Sequence, residues 1–128
     1  MAIRSVKEMV KEAKAEINTV DVKDAIAQAE SGEALLVDIR DIRELKREGR
    51  VAGAYHAPRG MLEFWVSPDS PYYKPELNDG RTLLLFCAGA ARSALAAKTL
   101  QDMGVEKIGE VAEGFKAFKE IGAFEKDE

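Results

Sequence analysis

Two runs of adjacent apolar residues, Ala34-Leu35-Leu36-Val37 and Leu83-Leu84-Leu85-Phe86, constrain this chain more than any other feature. A strand with one wet face alternates apolar and polar residues, and these runs do not alternate. As strands they need cover on both faces, which is the condition of a parallel sheet between helical layers. The segments around them supply the helices. Val6, Met9, Val10 and Ala13 fall at helical spacing within 4–16. A helix is expected over Val22–Glu30, with Asp21 as cap and Ser31-Gly32 at its end. A short charged helix fits 41–48, a late helix fits 93–103 up to Gly104, and a last one fits 115–121. Weaker strand candidates are 17–20, 54–57 before Pro58, and 107–111. Residues 67–81, with three prolines and Asn78-Asp79-Gly80, read as a loop. Strands alternating with helices predict an α/β fold: a central, mostly parallel, five-stranded sheet with helices on both faces.

The 128 residues suit one domain able to bury a core without staples. A net charge of −4 argues against a general nucleic-acid partner. The single cysteine has no internal disulfide partner, and the chain has no apolar run of membrane-spanning length. The expectation is a soluble, cytoplasmic protein with neither a nucleic-acid nor a membrane partner. One histidine and one cysteine make no metal-binding motif, so no metal is expected.

In sheets of this kind, ligands sit beyond the carboxyl ends of the strands. Asp38, Arg40, His56, Arg59, Cys87, Arg92 and Glu113 are expected near that rim. Cys87 ends the most apolar strand and is followed by Ala88-Gly89-Ala90-Ala91-Arg92-Ser93. Small residues let the backbone curl so that several N–H groups form an anion-binding nest. The next helix adds the positive end of its dipole, and Arg92 adds a full charge. A nucleophilic sulfur in such a cradle, exposed at the rim, suits the transfer of sulfane sulfur or phosphate. A buried cysteine packed before an alanine-rich helix is the blander alternative.

Cys87 to Ser93 resembles the active-site loop of the rhodanese family of sulfurtransferases. Further elements of that family occur in order. Leu35-Leu36-Val37-Asp38-Ile39-Arg40 resembles its Asp-x-Arg strand end, with Glu44 after it. Gly49-Arg50-Val51-Ala52-Gly53-Ala54 resembles Gly-His-Ile-x-Gly-Ala, and Glu113-Gly114-Phe115-Lys116-Ala117-Phe118 resembles the closing Gly-Gly-x-x-x-Trp. Arg50, Ala90, Glu113 and Phe118 depart from the family pattern. The resemblance spans about 18–123 and is specific in combination. It implies a rhodanese-like domain over 17–128 behind an N-terminal helical extension, 1–16.

The resemblance also implies a mechanism. Cys87 attacks the outer sulfur of thiosulfate or a persulfide donor, and the N–H groups of 88–92 hold the resulting persulfide. Cyanide, a thiol or an acceptor protein then removes the sulfur, in a ping-pong cycle without a cofactor. Cys87 and Arg92 are the catalytic candidates. Ala88, Gly89, Ala90, Ala91, Ser93, Arg59 and Arg40 are substrate- or loop-binding candidates, and Asp38 is a structural support. Each has a simpler reading: Ser93 caps the following helix, Arg59 is a solvated charge, and His56 is a hydrogen-bonded strand-end side chain. Trp65 either walls the pocket with Phe64 and Met61 or, more simply, packs a helix on the core, and 67–79 lies over the rim, packs elsewhere or meets a partner. Two other functions stand beside sulfur transfer: a non-enzymatic regulatory module of the same fold, and a cysteine-dependent phosphatase. Related phosphatases place five residues between cysteine and arginine, whereas four, 88–91, lie between Cys87 and Arg92.

Overall fold

In the computed structural model, which describes residues 2–126, the five strand segments form one sheet in the order β1-β5-β4-β2-β3, parallel throughout. The strands are β1 (Asn18–Val20), β2 (Ala34–Asp38), β3 (Tyr55–His56), β4 (Thr82–Phe86) and β5 (Ile108–Val111). The helices are α1 (Val6–Glu16), α2 (Val22–Glu30), α3 (Ile42–Glu48), α4 (Leu62–Val66), α5 (Ala91–Met103) and α6 (Gly114–Glu120). Leu35, Leu36 and Val37 pair in register with Leu83, Leu84 and Leu85.

The unbroken apolar runs follow from the two-fold alternation of a strand between two helical layers. Leu35, Val37, Leu83, Leu85 and Ile108 face a core shared with Ala13, Leu62 and Val66 and with Ala94, Ala97 and Leu100 of α5. Ala34, Leu36, Leu84, Phe86 and Val111 face the opposite core, built with Val22 and Ala25 of α2 and Phe115 and Phe118 of α6. The sequence fixes several helix ends. Asp21 accepts from the Lys23 N–H, and Asp41 accepts from the Arg43 N–H while Glu44 reaches back to the Asp41 N–H, a reciprocal cap.

Three sequence expectations change. Helix α5 starts at Ala91, so Ala90 precedes it and Ser93 is a buried residue of its first turn, not its cap. The segment 67–81 holds a 3-10 turn at Pro75–Leu77 with Leu77 buried in the core. It runs beside α4 and β3, with the Lys74 N–H on the Trp65 carbonyl and the Tyr55 hydroxyl on Glu76, and none of its hydrogen bonds reaches 87–93. Trp65 packs edge-on against Tyr55, as expected of a core-packing helix. No helix among the described residues is long and apolar enough to cross a membrane.

Candidate active site

The carboxyl ends of β2, β3, β4 and β5 meet through main-chain bonds that extend the ladder into the loops. The Ile39 N–H donates to Phe86, Ala57 to Asp38, Arg59 to Ile39, and Phe115 to Cys87. Cys87 leaves β4 on the face shared by α1 and α5. Its sulfur is buried (1% exposed), whereas Ala88, Gly89, Ala91 and Arg92 are exposed. The sulfur therefore lies beneath the loop and not on the open rim that the sequence suggests.

The loop's orientation follows from its contacts with α6. The Phe115 N–H donates to the Cys87 carbonyl (2.7 Å) and the Lys116 N–H to the Ala88 carbonyl (3.2 Å). The Gly89 carbonyl also faces α6, since a Cβ on Gly114 would come within 2.0 Å of it. Every peptide bond here is trans, and a planar trans peptide points its N–H opposite its carbonyl. The N–H groups of Ala88, Gly89 and Ala90 thus turn away from α6, and none has a hydrogen-bond partner among the described residues. The first N–H groups of α5 follow directly and lack intrahelical acceptors by geometry. The result is an anion-accepting main-chain cradle beside the cysteine.

Arg92 forms a two-pronged ion pair with Glu44 of α3, both bonds 2.9 Å. These bonds hold the Glu44 carboxyl down at about 2, against burial that opposes them, and hold Arg92 above its usual range, with Cys87 adding in the same direction. The pair braces the loop against α3. The sequence offered Glu44 only by its place in the motif; its partner lies 48 residues on.

Arg40, a candidate for substrate or loop binding, is 1% exposed. Its guanidinium bonds to both Asp38 carboxylate oxygens (2.8–3.2 Å) and to the Gly49 carbonyl, and lies 4.0 Å above the Phe115 ring. It ties β2 to the approach to α3 and to α6, beneath the rim and closed to substrate. Asp38 supports the structure through the same pair. His56 donates Nε2–H to the Arg40 carbonyl (2.7 Å), the simpler role expected of it. Arg59 is half-buried and pairs with Glu63 (2.6 Å). Glu113, at the start of α6, is exposed and has φ 60°, a left-handed position. Among the described residues, no three His, Cys, Asp or Glu side chains gather so as to hold a metal ion.

One polar residue of this site is absent from the sequence reading. Glu110 lies in the middle of β5, fully buried on the Cys87 face. Ser93 Oγ donates to Glu110 Oε1 (2.7 Å), and Lys14 Nζ (2.7 Å) and Thr19 Oγ1 (3.1 Å) donate to Oε2. The Cys87 thiol donates to Ser93 Oγ at 3.6 Å. A lone glutamate within Ile-Gly-Glu-Val was the only available hint.

A parallel α/β sheet that ends one central strand in a cysteine beneath a main-chain cradle defines a class of cysteine-loop α/β domains. Within it, the rhodanese-like domain model matches residues 10–121, and the chain belongs to that family. It is 44% identical to a Rhodopseudomonas palustris protein of known structure, over 98% of this chain and 97% of that one, with a TM-score of 0.91. That protein is described as of unknown function, "Possible Tyrosine Phosphatase". It is 32% identical to the 30 kDa polysulfide-sulfur transferase homodimer of Wolinella succinogenes, over 94% of this chain and 87% of that one, with a TM-score of 0.72. It is 28% identical, over 90 residues, to the "Putative sulfur carrier protein YrkF" of Bacillus subtilis, and the match spans 44% of that protein's length.

Proposed function

We propose that this protein is a sulfurtransferase that carries sulfane sulfur on Cys87. The observation that carries the reading is the trio of unpartnered N–H groups at Ala88, Gly89 and Ala90, turned away from α6 beside the cysteine. Cys87 attacks the outer sulfur of thiosulfate or a persulfide donor, and the leaving group departs with the electron pair of the broken S–S bond. The terminal sulfur anion of the persulfide is stabilised by the loop N–H groups and the α5 dipole. A thiophilic acceptor, cyanide or a thiol, free or on a protein, then takes the sulfur and regenerates Cys87. Arg92 is held by Glu44 at the loop's edge, where its charge supports the anion. Arg59 is an outer contact for an anionic donor. We assign the activity to residues 17–128, with 1–16 as a helical extension, in a cytoplasm that keeps the lone cysteine reduced. The similarity to the polysulfide-sulfur transferase supports this reading.

A cysteine-dependent phosphatase is the second reading, favoured by the description of the Rhodopseudomonas palustris relative. The four-residue spacing between Cys87 and Arg92 makes a smaller cradle, suited to a single sulfur more than to a phosphoryl group. Retention of Cys87 and Arg92 disfavours a purely regulatory module. Intact mass after thiosulfate, and again after cyanide, decides among them. Sulfur transfer predicts a gain of one sulfur atom that cyanide removes. No gain with thiosulfate or polysulfide, together with hydrolysis of an aryl phosphate, would establish the phosphatase instead.

A further inference from the structure

A fully buried carboxylate in a central strand is costly unless its bonds are complete, and Glu110 serves no packing need that an apolar residue would not meet better. Its bonds run in one direction. The Cys87 thiol donates to Ser93 Oγ, and Ser93 spends its only hydroxyl proton on Glu110 Oε1. Ser93 therefore presents lone pairs to the sulfur and is oriented to receive a proton from it. Lys14 from α1 and Thr19 from β1 hold the other carboxylate oxygen. Ser93 and Cys87, from α5 and the loop after β4, complete the hydrogen-bonded chain, and the Arg92 guanidinium in the first turn of α5, paired with Glu44, also acts on Cys87. Leu85 and the apolar residues of α5 close it from solvent on the core side.

We propose that Glu110 is the proton acceptor for Cys87, acting through the Ser93 hydroxyl, with Lys14 as the positioning cation. The inference rests on the sulfur-transfer reading for its substrate but not for its proton path. As Cys87 attacks, its S–H bond breaks. The proton passes to Ser93 Oγ as the Ser93 proton passes to Glu110 Oε1. The electron pair left on Sγ forms the new S–S bond. The donor's S–S bond breaks, and its electron pair leaves with sulfite when the donor is thiosulfate. The sulfane sulfur keeps its oxidation state, so no outside oxidant or reductant enters. When the acceptor removes the sulfur, the electron pair returns to Cys87 Sγ and the proton returns from Glu110 by the same path.

Glu110→Gln keeps the shape and an oxygen facing Ser93 but cannot take a proton, and Ser93→Ala removes the link while leaving the carboxylate. The rate of sulfur loading by thiosulfate, read by intact mass, is measured for both variants and the natural protein across a neutral-to-alkaline pH series. Circular dichroism establishes that each is folded. The proposal predicts a loss of roughly a hundredfold at neutral pH in both variants, recovering as hydroxide takes over the proton's removal. Glu110→Asp should recover part of the neutral rate. An equal loss at every pH, the sign of a merely structural role, overturns the proposal, as does an unchanged rate. Alkylation of Cys87 by iodoacetamide over the same pH series makes the comparison with no sulfur donor. A natural protein that takes up no sulfur therefore overturns the sulfur-transfer reading alone, and the alkylation profiles still decide the proton path.

Discussion

Cys87→Ser keeps the size of the side chain and removes its nucleophilicity. Sulfur loading should fall to the uncatalysed level while the far-ultraviolet spectrum and melting temperature stay close to those of the natural protein. Glu44 makes a prediction in pH. Its carboxyl is held at about 2, against an ordinary value of 4.5, chiefly by the Arg92 hydrogen bonds. A depressed folded value adds stability that is complete above the unfolded value and is lost as pH falls through the folded one. The stability gap between the natural protein and Glu44→Gln should thus be full above pH 4.5 and close as pH approaches 2, read by urea unfolding at several pH values. Glu44 entered the sequence reading through its motif, and Asp38 and Arg40 through theirs. What Arg40 does was hidden. A charged residue after a strand looks like a rim residue until its ring partner, Phe115, and its carbonyl partner, on Gly49, are brought beside it.

The junction of β5 and α6 governs the cysteine loop at the level of elements. Gly114 has φ 58°, and a Cβ there would meet the Cys87 and Gly89 carbonyls at 2.4 and 2.0 Å, both main-chain atoms. Gly114→Ala should push the loop off α6, lowering stability by about 1 kcal/mol from the left-handed backbone alone and by more from the overlap. Sulfur loading should fall further than stability does, because the loop carbonyls lose their α6 donors. The neighbouring Glu113 carries the same backbone conformation with a side chain. Glu113→Gly should be stabilising by up to about 1 kcal/mol, measured by urea unfolding. The sequence located α5 and α6 well. It started α5 two residues late because Ala91 and Arg92 carry no capping signal, and a loop folded against a neighbouring helix replaces one.

Across the whole molecule, Lys14 ties α1 to the sheet and to the site through Glu110, beside the Glu16–Lys98 pair from α1 to α5 and the buried Ala13. Lys14→Met should leave Glu110 buried with one cation fewer, costing about 1–3 kcal/mol in thermal or urea unfolding. Adding Glu110→Gln should return part of that loss, since the uncompensated charge is then gone. If the two losses simply add, Lys14 stabilises α1 independently of Glu110.

The sequence by itself determined the parallel sheet, most of the helix spans, and the family motif around Cys87. Runs of adjacent apolar residues, capping side chains and a loop of small residues are local signals, legible without the fold. Only the tertiary structure decided which charges are buried and which carbonyls face which helix. Arg40 beneath the rim, Glu44 on Arg92 and Glu110 between Ser93 and Lys14 depend on partners far away in sequence, brought together by sheet order β1-β5-β4-β2-β3. A buried charge is tolerated only where its partners converge, and the convergence belongs to the packing of strands and helices rather than to any local pattern.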